Sequence, residues 1–310
     1  MRMPSLNPLE WPHRIKFVVA FGTLYLVWGS TYLAIKIGLN AALPPAAFAS
    51  MRLIPAGLVM FAIAWMRGIT PRMRLRDLKI TAIVGIFLLV GGMYFTFLSE
   101  GSINSGLAAL IVATLPLWIA SAESLIPGME RPSARGVAGL LVGFAGLAIL
   151  VVPRLAGVAG TRAQLIGIGI QLIGTLLWTT GSIIAKKRPV RADAMVATGW
   201  EMLSAGAVLA VIALAGGEFS RLTFTPSGVG ALLYLIFIGS AVAFTAFVWL
   251  MRHAPASKVM TYAFVNPVVA AFLGWLVLGE RLDPWALTGM GVIVAGVALT
   301  TTAPTRPPRA

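Results

Sequence analysis

Apolar residues run along this chain in blocks of about twenty, separated by short clusters of Pro, Gly, Arg and Lys. The blocks fall near residues 16–39, 46–66, 78–98, 104–126, 134–152, 163–185, 194–214, 227–250, 257–278 and 285–303. A hydrocarbon layer of about 30 Å takes roughly 20 helical residues to cross. Each block therefore has the length of one transmembrane helix. The breaks carry turn and helix-stop residues: Pro44-Pro45, Pro71, Pro127-Gly128, Pro132, Pro153, Pro189, Gly216-Gly217, Pro226, Pro255 and Pro284. Short connections leave no room for a soluble domain. The first block is too long for a signal peptide and nine more follow, so it reads as a retained start-transfer helix. The pattern predicts an all-α membrane protein of ten transmembrane helices.

Sliding the chain against itself by 150 positions aligns Trp28 with Trp178, Lys36 with Lys186, Ile86-Phe87 with Ile236-Phe237, Phe97 with Phe247 and Glu130-Arg131 with Glu280-Arg281. Gly139, Val142, Ala145, Gly146 and Ala148 meet Gly289, Val292, Ala295, Gly296 and Ala298, and Pro116 meets Pro267 one residue further on. Trp, Lys and a Glu-Arg pair are rare enough here to mark a duplication, with one unit over residues 1–155 and the other over 156–310. Five spans per unit is an odd number. Equivalent helices would then run in opposite directions, which makes inverted repeats around a central cavity, a plan that puts substrate at the midplane between the repeats.

Composition agrees with the blocks. With 58% hydrophobic and 11% charged residues and a mean hydropathy of +0.90, the chain cannot cover itself with a water-compatible surface. It has no cysteine, so disulfides, thiolate metal sites and cysteine nucleophiles are excluded. A net charge of +14 invites a nucleic-acid reading, but such binders carry their charge on a folded polar surface. Topology explains it better. With the N-terminus in the cytoplasm, inner segments hold Arg2, Arg14, Lys16, Arg67, Arg72, Arg74, Arg76, Lys79, Arg131, Arg135, Lys187, Arg188, Arg191, Arg252, Lys258, Arg306 and Arg309. Outer loops hold only Arg154, Arg162, Arg221 and Arg281. Positive loops stay inside, so both termini are expected in the cytoplasm of a bacterial-type inner membrane.

Within the spans, Tyr25, Trp28, Tyr32 and Lys36 form one stripe along the first helix, and Gln171, Thr175, Trp178 and Ser182 form another along the sixth. Polar and aromatic groups at membrane depth turn to a cavity or a protein neighbour because lipid offers no hydrogen bonds. Cavity lining, helix packing and an interfacial aromatic belt all fit Trp28 and Trp178. Pro116 and Pro267 are expected mid-helix, where a proline frees a carbonyl, with Asn266 and Tyr262 beside the second. Arg52 and Glu201 are costly at membrane depth. Arg52 either fixes helices near the outer gate or holds a substrate carboxylate; Glu201 either pairs with a cation or titrates as a proton site. Lys36 has the reach to snorkel to the outer surface. The Glu-Arg pairs read as helix caps. The small-residue series Gly139, Gly143, Gly146 and Gly289, Ala295, Gly296 suits close helix packing or a homodimer surface.

These pieces resemble a family. Trp28-Gly29-Ser30-Thr31 through Lys36, Arg52, Pro116, Asn266-Pro267-Val268, Leu278-Gly279-Glu280-Arg281-Leu282, Gly289 and Gly296 are similar to the EamA-type members of the drug/metabolite transporter superfamily, over nearly the whole chain. The resemblance implies a ten-helix basket around a cavity lined mainly by helices 1, 3, 4, 6, 8 and 9, and export of amino acids, related metabolites or toxic compounds. It does not fix the substrate.

The residues narrow the choice. His13 and His253 sit at membrane edges, with no metal motif and no clustered carboxylates, which argues against an intramembrane enzyme, a metal or a cofactor. The polar stripes are too interrupted for a channel. A nucleotide-sugar-type exchanger would need several buried cations for phosphate, and only Arg52 and Lys36 are candidates within the spans. A cationic-drug antiporter would carry an acid in helix 1 or 6, and neither has one. The expectation is an alternating-access exporter of a small zwitterionic or neutral metabolite, amino acids first. Trp28, Trp178, Tyr94, Phe244 and Tyr262 would suit an aromatic one. Multidrug efflux is the alternative.

Overall fold

The computed structural model describes residues 13–100, 102–103, 105–152, 161–278 and 284–307. Nearly all of them are helical. Among the described residues nine helices are long and apolar enough to cross a membrane, and a shorter apolar stretch, Leu110–Leu125, stands where the fourth block was expected. Outward faces are apolar: Leu26, Ile173, Val211, Leu276 and Val294 are all exposed. Only lipid suits such a surface.

The blocks that follow expectation are α1 (His13–Asn40), α2 (Pro45–Met66), α7 (Ala134–Val151), α8 (Arg162–Lys187), α9 (Ala194–Ala215) and α14 (Pro284–Thr302). The third block is continuous but mixed, with α3 (Leu75–Gly85), a π-helical stretch Ile86–Tyr94 and α4 (Phe95–Glu100). The eighth repeats this as α10 (Pro226–Tyr234), a π-helical stretch Leu235–Val242 and α11 (Ala243–His253). π-Helical turns are rare and occur mostly at functional sites.

Two blocks are broken rather than continuous. The fourth is α5 (Ser105–Val112) followed by α6 (Leu115–Leu125), and the ninth is α12 (Ala256–Val259) followed by α13 (Tyr262–Leu278). Pro116 is thus not mid-helix: it lies in the first turn of α6. The reason is steric. A proline ring collides with the carbonyl four residues back, which here is that of Val112, the last residue of α5, and it sits without penalty where no N–H is needed. Pro267 does lie inside α13.

Glycines set which helices touch. A Cβ on Gly146 would lie 2.6 Å from the Ile293 nitrogen, and one on Gly139 would lie 2.7 Å from the Thr300 nitrogen, so α7 and α14 meet backbone to backbone. Gly57 and Gly199 do the same for α2 and α9, where a Cβ on Gly57 would come within 2.9 Å of the Gly199 carbonyl. Most of the small-residue series therefore packs inside the chain and is not a homodimer surface. Ala295 alone of that series is exposed.

One end of the bundle gathers the basic residues. There the loop strand Arg131–Pro132 pairs antiparallel with Thr305–Arg306, Lys187 donates to the Pro127 carbonyl, Lys186 to those of Met251 and Ala254, and Arg252 to that of Ala192. The Trp200 indole also reaches the Pro71 carbonyl at that end. At the opposite end the Glu218 carboxylate accepts from the Ala47 amide at 2.8 Å. Glu280-Arg281, Pro153 and Arg154 lie outside the described residues.

Candidate functional site

The aromatic stripe of α1 meets α8, α11 and α13 in the middle of the bundle. Trp28 is the hub, with ring centroids 4.7 Å from Tyr262, 5.2 Å from Phe247, 5.8 Å from Trp178 and 5.9 Å from Phe244. Its planes cross those of Tyr262 and Trp178 at 80° and 82°, the edge-to-face arrangement that ring quadrupoles favour. The Trp28 indole N–H donates to the Gly239 carbonyl at 3.2 Å. Space for the second indole comes from Gly92, since a Cβ there would collide with Trp178.

This layer separates two cavities. Away from the basic end, one of about 110 Å³ is walled by Trp28, Trp178, Phe244 and Tyr262, with Thr31, Arg52, Thr96, Gln171, Thr175, Ser240 and Asn266 as its polar members. Towards the basic end, one of about 210 Å³ is lined by Glu201, Lys186, Arg188 and Arg252, and by Phe247 from the aromatic layer. Phe247 touches the ring cluster on one side and the second cavity on the other. The rings form the partition.

Arg52 is buried, with Nε donating to Ser240 Oγ at 2.8 Å and Nη2 to the Gly239 carbonyl at 3.3 Å. It ties α2 to the π-helical stretch of the eighth block, whose Gly239 carbonyl accepts from Trp28 as well. Removing it leaves the buried Ser240 hydroxyl without its donor, while the Gly239 carbonyl keeps the Trp28 indole. Arg52→Leu is expected to destabilise the protein by roughly 1.5 to 3 kcal/mol, read as a lower melting temperature in detergent, with Arg52→Lys intermediate because lysine cannot present the same fork of donors.

Gln171 bridges helices rather than standing free, donating to Thr96 Oγ1 at 3.2 Å and accepting from Ser99 Oγ at 2.7 Å. Two other polar atoms on the cavity residues differ: Trp178 Nε1 and Asn266 Oδ1 are buried without a hydrogen-bond partner. Buried polar groups are nearly always paired. Trp178 and Asn266 thus bring one unpaired donor and one unpaired acceptor to the residues around a single cavity.

Several expected positions lie elsewhere. Tyr25 pairs its hydroxyl with Thr261 Oγ1 at 2.6 Å, bracing the break between α12 and α13. Tyr94 packs in the core, and Ser182 returns its hydroxyl to the Trp178 carbonyl at 2.8 Å. Pro116 and Pro267 are not on the wall, and Glu201 faces the second cavity instead. A stripe at spacings of three and four drifts around a helix, so only part of it faces any one neighbour. The side chains of Tyr32 and Lys36 lie outside the described residues. Thr96 and Ser240 line the cavity without having been singled out, and Thr31, noted only as part of the Trp28-Gly29-Ser30-Thr31 motif, does so too. The mid-span glycines Gly91-Gly92 and Gly239 were the available signal, since a glycine inside a helix marks a close approach.

The profile of the EamA-like transporter family matches residues 16–152 and again residues 165–302. The chain belongs to that family. The first match ends and the second begins on either side of the connection between α7 and α8. The chain is 36% identical over 287 residues to the uncharacterized inner membrane transporter YedA of Escherichia coli K12, covering 91% of this chain and 89% of that protein. It is 27% identical over 279 residues to an uncharacterized transporter of Archaeoglobus fulgidus, covering 89% and 94%. To the WAT1-related protein At3g02690 of Arabidopsis thaliana, chloroplastic, it is 29% identical over 284 residues, covering 89% and 67%. A protein of known crystal structure superposes with a TM-score of 0.78 at 21% identity, over 93% of this chain and 96% of the other, which shows a shared fold. The EamA chain described here is a multi-pass membrane transporter.

Proposed function

We propose that this EamA protein is a secondary exporter of zwitterionic metabolites, α-amino acids with apolar or aromatic side chains first. The observation that carries the reading is the pair of unpartnered atoms, Trp178 Nε1 and Asn266 Oδ1, on residues of the ring-walled cavity. An indole N–H suits a carboxylate oxygen and an amide oxygen suits an ammonium, while Trp28, Phe244 and Tyr262 offer faces to an apolar side chain. Arg52 adds a cation to the same wall.

The chain works by alternating access between two inverted five-helix units, residues 1–155 and 156–310, in a ten-helix basket. Two features support it: the family matches twice, and the two π-helical stretches, Ile86–Tyr94 and Leu235–Val242, occupy matching places in the third and eighth blocks. With the basic end in the cytoplasm, both termini lie there and the 110 Å³ cavity belongs to the outer half of the path.

The test separates binding from folding. Asn266→Leu removes an acceptor that nothing satisfies, so the melting temperature of the empty protein is expected to hold or rise. Thermal stabilisation by the best of the twenty standard amino acids should fall by about tenfold or more in apparent affinity. Failure of all twenty to stabilise the wild-type protein or to be transported in proteoliposomes would remove the proposal.

A further inference from the structure

The second cavity is the larger of the two, at about 210 Å³, and lies apart from the Trp178–Asn266 pair. Its chemistry is asymmetric. Glu201 is 6% exposed and its Oε2 has no hydrogen-bond partner. The residue lies seven positions into α9, about 10 Å from the basic end of that helix. Gly85 holds it in place: a Cβ on Gly85 would lie 2.8 Å from the Glu201 Cα, so α3 presses directly on the backbone that carries the carboxylate. Apart from Thr81 and the basic side chains the wall is apolar, with Val84, Leu88, Phe247 and Val248.

The cations of this cavity belong to its rim. Lys186 already donates to the carbonyls of Met251 and Ala254, at 3.1 and 2.6 Å. Arg252 is exposed and donates Nη1 to the Ala192 carbonyl at 3.0 Å. Arg252 lines the same cavity as Glu201 but does not satisfy its Oε2. Arg188 is exposed beside it. A buried, unpaired carboxylate, a largely apolar wall and guanidinium groups at the mouth are complementary to a molecule with an ammonium at one end of a short span, a carboxylate at the other, and an apolar side chain.

We infer that this cavity is the cytoplasmic entry site for the zwitterion, where Glu201 receives the ammonium and Arg252 with Arg188 receives the carboxylate before the substrate passes the aromatic partition. The inference rests on the proposed amino-acid function and on the basic end facing the cytoplasm. It assigns Glu201 as a substrate ligand in place of a structural ion pair. The substrate then meets a carboxylate first and the Trp178–Asn266 pair second, one on each side of the rings.

Sidedness tests it. Initial uptake of radiolabelled L-phenylalanine, or of whichever standard amino acid the wild-type protein moves fastest, is measured in inside-out and right-side-out membrane vesicles. Glu201→Gln is expected to raise KM from the cytoplasmic face by about ten- to hundredfold and to leave KM from the outer face unchanged, with Glu201→Asp partly restoring the inner value. A purely structural role would move both faces together. On the wild-type protein, which folds by definition, 3-phenylpropionate lacks the ammonium and is expected to compete more weakly from the inner face, where the ammonium's partner is a carboxylate, than from the outer, where it is the neutral Asn266 amide. Unchanged inner KM in Glu201→Gln, equal competition on both faces, or an effect of Glu201→Gln confined to the response to a pH gradient would each overturn the entry site while leaving amino-acid export in place. If the wild-type protein moves none of the twenty amino acids, both readings fall.

Discussion

Gly296→Val is expected to yield little folded protein, and what is recovered should melt on the order of 10 °C below wild type. The seam between α7 and α14 has no slack: a Cβ on Gly296 would lie 2.6 Å from the Gly143 Cα and 2.8 Å from the Gly139 carbonyl, and closer still to the Gly143 nitrogen. Those are backbone atoms, which cannot rotate away. Opening the seam would also loosen the contacts at Gly146, Gly289 and Ile293. Overpacking a tight interior costs about 1 to 3 kcal/mol even where side chains can yield, and association of helices in lipid depends on close contact because no hydrophobic force draws them together. Gly291→Val is the control on the same helix, since nothing lies within 4 Å of its Cβ. Size-exclusion profiles and melting curves in detergent should separate the two variants clearly. Equal behaviour would mean that the seam is not as close as described.

Trp28→Ala should have the largest effect on transport. Four rings rest on Trp28, and its indole also holds the Gly239 carbonyl. Removing the ring costs roughly 3 to 5 kcal/mol of packing and takes out the middle of the wall between the 110 and 210 Å³ cavities. Accumulation of substrate against a gradient in proteoliposomes should fall at least about tenfold, while passive leak of the same substrate rises. Trp28→Phe keeps a ring in the partition and should retain most of the accumulation, losing mainly the bond to Gly239. Intact accumulation with Trp28→Ala would show that the rings do not separate the two sides.

Much of the architecture is legible along the chain, and the reason is local. Lipid solvates each span separately, so each must be apolar over its own length, and a run of about twenty such residues announces itself without knowledge of its neighbours. The EamA resemblance was readable from Trp28-Gly29-Ser30-Thr31, Asn266-Pro267 and the spaced glycines for a similar reason, since these stand out from a uniform apolar background. The fourth block is different. Its composition is continuous across 104–126, but the chain breaks at Ala113-Thr114 because the ring of Pro116 cannot share a helix with the Val112 carbonyl.

The site was legible only in part. Trp28, Trp178, Phe244, Tyr262, Asn266, Gln171 and Arg52 come together around one cavity, whereas Tyr25, Tyr94 and Ser182 find partners of their own. The second cavity had no counterpart in the pattern, because Glu201 on α9 and Arg252 at the end of α11 are adjacent only after the helices pack. By itself the sequence determined the apolar spans, the repeated rare residues and the end that gathers positive charge, all properties of single segments or of composition. Tertiary structure alone decided which face of each helix meets which neighbour, where a polar atom is left without a partner, and that one layer of rings divides the path in two. Helix rotation and approach are set by backbone contact at glycines such as Gly92, Gly85 and Gly296, and no single segment contains that information.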